Sequence, residues 1–169
     1  MTDAVSVEFA SPSGDRLRFD WSLERLESFD GAETEPLWER AGDLDWDEIE
    51  LFRVLTGRFD DGRALAVAAL RPAGADGHGD DAVAGVLVTD GESNAFAEAL
   101  LSTEYGPDGE ARRVGLELYP EDQGLPLRVA ADVTGIDEFD VGGTRRTRVA
   151  LKLRAGGEGV GILDVIKPG

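Results

Sequence analysis

Apolar and polar residues alternate with a period of two along most of the second half of the chain. Val114, Leu116 and Leu118 alternate with charged or polar neighbours, and the pattern recurs at residues 127–133 and 149–153. Successive side chains of a β-strand point to opposite faces of its sheet. The alternation therefore predicts strands that each have one covered face.

Short turn sequences separate these strands from one another and from further strands upstream. Pro107-Asp108-Gly109 and Asp60-Asp61-Gly62 place glycine where a tight turn needs a positive φ. The second turn joins predicted strands at residues 49–59 and 64–70. Residues 64–70 and 82–88 are apolar on both alternations, so we expect each of these strands to be covered on both faces.

Counted from Glu48, the chain offers eight strand candidates joined mostly by short loops. An up-and-down run of eight strands closes most economically into a barrel, because closure removes the exposed edges. We therefore predict an all-β fold, an antiparallel up-and-down meander that closes into a β-barrel with little helix. The segment from Asn94 to Leu101, which follows the turn residues Asp90 and Gly91, has a composition that favours a helix. We nevertheless predict a strand there, from about Ala97 onward. A β-sandwich of two sheets would show the same alternation and stays open as an alternative.

The chain is short enough to form one domain, residues 1–169. Residues 1–47 are predicted to contain an N-terminal hairpin followed by an acidic connecting segment, in which Ser22 is a candidate cap for a short helix ending near Phe29. Residues 48–166 then form the eight-strand core of the barrel or sandwich.

Composition narrows the classes of function. The chain has 35 acidic and 17 basic residues, a net charge of -18, one histidine and no cysteine. Such a charge disfavours nucleic acid and anionic lipid as partners, and the absence of cysteine excludes disulfides and thiolate chemistry. We find no targeting segment and no run long enough for membrane insertion, and we expect a cytoplasmic protein without a cofactor.

No stretch of the sequence carries a strong catalytic or metal-binding signature. Residues 43–48 begin like a calcium loop, but Glu48 stands where such a loop needs glycine. His78 lies in a loop rich in glycine and aspartate, where an exposed imidazole is the simpler interpretation. We therefore predict no catalytic residue and no metal site.

Arg53 is the most unusual polar residue of the predicted strands, because apolar residues surround it. A guanidinium among apolar side chains needs a carboxylate, a ligand or solvent. Simple alternation onto an exposed face is the easier explanation. We nevertheless count Arg53 among the candidate ligand-pocket residues, which share a place on predicted inner walls or at the mouth: Arg53, Tyr105, Leu116, Leu118, Val129, Ala131, Leu151 and Leu153.

The last third of the chain resembles the lipocalin-like domain of the carotenoid 1,2-hydratase and AttH-like group. The similarity covers roughly residues 101–166 and lies in the hairpin around Tyr105, in the strand segments at 114–118 and 126–135, and in the glycine-rich closing strand at 157–165. Members of that group usually carry two consecutive domains of this kind, and this chain has room for one with an N-terminal extension. The resemblance implies a lipocalin-like β-barrel with an apolar pocket, and it implies no catalytic residue.

Three functions follow as hypotheses. The first is a binding module that encloses a small, largely apolar molecule. The second is an enzyme of hydratase or isomerase type, for which Asp132 and Glu117 are the candidate acids. The third is a non-catalytic interaction or structural protein, and the chain is expected to be a monomer or a homodimer.

The acidic composition also suggests adaptation to high internal salt, although an ordinary acidic protein from an arginine-rich proteome would have a similar composition. Salt screens repulsion among carboxylates. We expect the free energy of unfolding, measured by urea denaturation, to rise as KCl increases from about 0.1 M to several molar. A free energy that stays constant over this range would contradict the salt-adaptation hypothesis.

Overall fold

The structure is a computed structural model that describes residues 4–10, 14, 16–22, 45–74, 81–120, 125–141 and 143–168. These residues contain β-strands and no helix. In chain order the strands are β1 (Ala4–Ala10), β2 (Arg16–Ser22), β3 (Ile49–Phe59), β4 (Ala64–Pro72), β5 (Ala82–Thr89), β6 (Glu92–Tyr105), β7 (Ala111–Pro120), β8 (Leu127–Val141), β9 (Thr144–Arg154) and β10 (Glu158–Pro168).

Strands β1 and β2 form a separate antiparallel hairpin, as the sequence predicts. Val5 lies opposite Trp21, and Val7 lies opposite Phe19. The Cα atoms of β1 come within 8 Å of those of β5 and β4. The hairpin therefore lies against the rest of the protein at these two strands.

Strands β3 to β10 form one antiparallel meander whose ends meet. Each strand pairs with the next along the chain, and β10 pairs with both β9 and β3. Leu163 on β10, for example, lies opposite Leu55 on β3 and Val149 on β9. The eight strands thus form one continuous sheet that hydrogen bonds close into a ring, and not the two separate sheets of a β-sandwich.

The turn at Asp90-Gly91 explains why β6 begins earlier than expected. Asp90 has φ 51° and Gly91 has φ 78°, which is the backbone of a two-residue hairpin turn. Thr89 and Glu92 are therefore paired directly across the turn, and the strand begins at Glu92 instead of near Ala97. The helix-friendly composition of this segment is overridden by its turn.

One set of apolar side chains, which includes Leu55, Leu153 and Leu163, lies inside the ring. At the end of the ring where β3 ends and β4 begins, Leu153 packs against two glycines on neighbouring strands. A methyl group added at Gly57 would lie 2.5 Å from Cδ1 of Leu153, and one added at Gly161 would lie 3.2 Å from it. The glycines here allow close packing, and we call this the closed end of the ring.

Arg63 covers the closed end from outside. Its guanidinium carbon lies 4.4 Å from the centre of the Phe59 ring, and its Nη2 donates a hydrogen bond of 2.6 Å to the carbonyl oxygen of Ala155. Phe59 on β3 and Leu153 on β9 are both fully buried. Side chains thus fill this end of the ring.

The outer face of the ring is also buried over β3, β4, β5 and β10. On β4, Leu65 and Val67 belong to the interior, whereas Ala66 and Ala68 belong to a second apolar cluster outside the ring. All of them are fully buried. The prediction that this strand is covered on both faces is confirmed.

A carboxylate is buried in this outer layer. Asp164 on β10 is 1% exposed, and its Oδ1 lies 3.4 Å from Nε of Arg148 on the adjacent strand. That distance makes an ion pair but is long for a hydrogen bond. Neither carboxylate oxygen of Asp164 has a hydrogen-bond partner in the described part of the chain. Burial raises the pKa of Asp164 to about 6, against the opposing charges of Arg148 and Arg146.

This buried carboxylate predicts a pH dependence of stability. The folded state binds the Asp164 proton more tightly than the unfolded state, so stability falls as the pH rises through the pKa of about 6. We expect the free energy of unfolding of the wild type, relative to Asp164→Asn, to fall by up to about 3 kcal/mol between about pH 4 and pH 7. Chemical denaturation of both proteins measures it, and a difference that is independent of pH would rule out this origin.

Several predictions fall on residues outside the described ranges. His78, the short helix after Ser22, most of the acidic connecting segment and the first two residues of the calcium-loop-like stretch, 43 and 44, lie there. The described residues 45–48 form a turn, in which Asp47 N–H donates to Oδ1 of Asp45 and Glu48 N–H donates to the Asp45 carbonyl. The described residues contain no helix that is long and apolar enough to cross a membrane.

Candidate functional site

The ring is open at the end opposite Leu153, and a cavity of about 170 Å³ lies there. This open end is where β9 begins and β10 ends. Val149 and Leu163 are both 1% exposed, and with the half-buried Val165 and Ile136 they form the apolar lining of the cavity. Side chains of three strands thus present hydrocarbon to a space that a small molecule can enter.

The rim of the cavity is polar. Thr147 lies on β9 beside Val149, and Tyr105, which is 59% exposed, lies at the end of β6. Arg145 and Lys167 stand opposite each other on β9 and β10, and two acids, Glu110 and Glu138, complete the charged part of the lining. An apolar interior with a charged rim suits an amphipathic ligand.

Arg53 lies beside this cavity, in the interior of the ring. It is opposite Val165 in the pairing of β3 with β10, and it is 4% exposed. The expectation that alternation places Arg53 on an exposed face is therefore wrong. Both faces of β3 are covered, so its outer neighbours Phe52 and Val54 are as buried as its inner ones.

Asp81, just before β5, neutralises part of this buried charge. Nη2 of Arg53 lies 2.7 Å from Oδ2 of Asp81, and the two side chains are 5% and 2% exposed. Arg71 shares the same carboxylate, with 2.8 Å between its Nε and Oδ1 of Asp81. We call Arg53, Asp81 and Arg71 the Arg53 cluster.

Two further contacts hold the Arg53 guanidinium. Both contacts are with residues of β6. Nη2 of Arg53 donates to the carbonyl oxygen of Leu101 at 3.2 Å, and Nη1 lies 3.5 Å from Oγ1 of Thr103. Nε of Arg53 is buried and has no hydrogen-bond partner among the described residues. One donor of this buried cation thus points to no acceptor, which is costly in a low-dielectric interior.

The Arg53 cluster carries an excess of positive charge. Burial lowers the pKa of Arg53, with a further contribution from Arg71, while Asp81 opposes both effects. The hydrogen bond to Asp81 raises the pKa of Arg71. Guanidinium groups stay protonated in proteins, so two cations face one carboxylate.

Arg53 also bridges a gap in the wall of the ring. Strands β5 and β6 pair only between residues 86–89 and 92–95, and they separate towards the open end. A groove of about 670 Å³ lies at this separation, lined by Asp81 and Val83 on one side and by residues 98–102 on the other. It continues over the outer face of β7 and β8, so the Arg53 cluster lies between the groove and the open-end cavity.

The predicted pocket residues are divided between the rim of the open end and the deep interior, and two of the interior ones, Leu116 and Val129, also line the outer groove. Tyr105 lines the open-end cavity and Arg53 lies beside it. The apolar ones all belong to the interior cluster, and none is more than 3% exposed: Leu116, Leu118, Val129, Ala131, Leu151 and Leu153. Alternation thus identifies inner walls but not the end at which the ring opens, and it misses Val149, Leu163 and Asp81.

The two candidate acids of the enzyme hypothesis lie on the outer face. The Asp132 side chain is 46% exposed and pairs with Arg154 at 3.0 Å. The Glu117 side chain is 38% exposed and accepts a hydrogen bond of 2.5 Å from the Tyr119 hydroxyl. Neither acid reaches the interior, so the hydratase hypothesis loses the residues on which it depends. In the part of the chain that is described, no group of three or more acids and histidines is placed to hold a metal ion.

Comparisons with known proteins add no family. No protein-family model matches the sequence, and no curated protein matches it significantly. The similarity to the carotenoid 1,2-hydratase and AttH-like group therefore stays a prediction.

The Arg53 cluster predicts an unequal effect of removing two carboxylates. Asp81→Asn leaves a buried guanidinium without its counter-charge, and we expect it to lower the free energy of unfolding by about 3 kcal/mol or more. Asp132→Asn breaks an exposed ion pair and should cost less than about 1 kcal/mol. Urea denaturation of both variants measures the difference.

A second substitution identifies the cause of that loss. Arg53→Met removes the unpaired charge, so adding it to Asp81→Asn should restore part of the stability. Equal losses in Asp81→Asn and Asp132→Asn, or no recovery in the double variant, would contradict the assignment of a buried ion pair.

Proposed function

We propose that this chain is a binding protein for a small, largely apolar molecule, which it holds at the open end of a lipocalin-like β-barrel. The observation that carries the proposal is the cavity lined by Val149, Leu163 and Val165 inside the ring. Its volume of about 170 Å³ is close to that of apolar protein cavities that admit benzene. The enclosed part of the ligand is therefore a short aliphatic chain or a single ring.

The architecture supports this function in two ways. A closed antiparallel meander is the arrangement that lipocalin-like barrels use, and eight strands leave an interior that holds one small ligand. Packing of Leu153 against Gly57 and Gly161 fills the closed end, so the free space is concentrated at the other end. Tyr105 at the rim offers both an aromatic ring and a hydroxyl to a ligand that enters there.

A neutral probe tests this proposal directly. We expect 1-octanol to bind the wild type in isothermal titration calorimetry, because its chain fits the apolar lining of the cavity. Thr147→Phe fills the rim of that cavity and should weaken binding at least about tenfold. Ser102→Phe fills the outer groove instead and should leave the affinity unchanged.

Each result assigns the site. Weaker binding to Ser102→Phe with unchanged binding to Thr147→Phe would move the site to the outer groove and overturn the proposal. Circular dichroism of both variants confirms that they keep the wild-type fold before their affinities are compared.

A further inference from the structure

We infer that the ligand is a monocarboxylate with a short apolar chain, and that Arg53 and Arg71 bind its carboxylate at the open end of the ring. The inference rests on the proposed function and names the chemical class of the ligand. It comes from the charge and hydrogen bonding of the Arg53 cluster, not from the apolar cavity.

The charges of the Arg53 cluster favour an anionic ligand. Two buried or half-buried guanidinium groups face one carboxylate, that of Asp81, so one positive charge has no counter-charge within the cluster. Desolvating an unbalanced cation is costly, and a monoanion removes that cost. The need is for a single negative charge, which a carboxylate carries and a phosphate monoester exceeds.

The hydrogen bonding of Arg53 is incomplete. Nε of Arg53 is buried without a partner, and Nη1 reaches Thr103 only at 3.5 Å. A carboxylate accepts two parallel N–H donors of a guanidinium, with bonds stronger than those between neutral groups. Because the Thr103 contact is at the limit of hydrogen-bond distance, a ligand oxygen replaces it at little cost.

The Arg53 cluster lies close to the open-end cavity. Arg53 lies opposite Val165, which lines the cavity, and the Arg71 side chain is 21% exposed. Tyr105 at the rim is close enough to affect the pKa of both arginines. Arg53 itself does not line the cavity, so a short-chain carboxylate with its chain against Val149 and Leu163 meets the Arg53 guanidinium by taking the place of the Thr103 contact.

The charges around the open end agree with an anionic ligand. Arg145 and Lys167 stand on the rim opposite each other, in a chain with 17 basic and 35 acidic residues. With the Arg53 cluster they bring four basic side chains to one end of the ring. The acids near them are Asp81, Glu110, Glu138 and Asp140, which pairs with Arg145 at 3.8 Å, so these acids and bases are equal in number at this end, whereas the whole chain has about twice as many acids as bases.

Three probes separate the headgroup from the chain. Calorimetry with octanoate, 1-octanol and acetate compares an anion with a chain, a chain without the anion, and an anion without a chain. We expect octanoate to bind at least about tenfold more tightly than 1-octanol, which is the effect of one charge-assisted hydrogen bond. Acetate should show no binding at the same concentrations.

Variants locate the headgroup. Arg53→Met should bring the affinity for octanoate down to the affinity for 1-octanol measured on the same variant, because the charge is lost and the chain site is kept. Arg71→Met, which preserves the Arg53 and Asp81 pair, should weaken octanoate in the same direction and serves if Arg53→Met does not fold. Arg113→Met removes a guanidinium that is 71% exposed on the outer face and should change neither affinity.

The outcomes distinguish the two proposals. Equal affinity for octanoate and 1-octanol, or an octanoate affinity unchanged in both Arg53→Met and Arg71→Met, overturns the carboxylate inference and leaves apolar binding intact. Acetate that binds as tightly as octanoate contradicts the apolar site but keeps the anion site. If none of the three probes binds the folded wild type, both proposals fail.

Discussion

Closure of the sheet by hydrogen bonds between β10 and β3 is the constraint on which the rest of the structure depends. Once the ring is closed, each strand has an inner and an outer face, and its alternating side chains are divided between them. Leu55, Val149 and Leu163 then meet inside the ring on three adjacent strands. Every property of the candidate site follows from which residues that closure directs inward.

The two ends of the ring differ because their side chains differ in size and charge. At the closed end, glycines on β3 and β10 let Leu153 approach the sheet closely, and Arg63 lies over Phe59. At the open end the inward positions carry Thr147, Arg53 and Val165 on adjacent strands. Polar groups there require partners or a ligand, so the space between them does not collapse as an apolar core would.

Burial decides which ion pairs of this acidic chain contribute to its stability. Pairs such as Arg112 with Asp108 are exposed on both sides, and salt screens them. Arg53 and Asp81 are almost fully buried, where salt has little effect and where removal of one partner leaves a charge without solvation. The high net charge therefore describes the surface, whereas at the site two guanidinium groups share one buried carboxylate.

Local sequence signals predict much of the fold and less of the site. Alternation and turn residues locate β3 at residues 49–59 and the hairpin at Gly109, whose φ is 78°. They do not show whether Arg53 points into the ring or out of it, because β3 is covered on both faces and has no polar face that would identify the outer side. Asp81 is one of 35 acids, and its pairing with Arg53 depends on a contact between strands far apart in sequence, which no local pattern reveals.

Ligand binding at the open end of the ring, and not in the groove on its outer face, can be observed at individual side chains. Methyl-resolved NMR during a titration with 1-octanol distinguishes the two sites. We expect the methyl resonances of Val149, Leu163 and Val165 to shift with increasing ligand, and those of Leu100 and Ala130, which line the outer groove, to stay unchanged. Shifts confined to Leu100 and Ala130 would contradict binding at the open end.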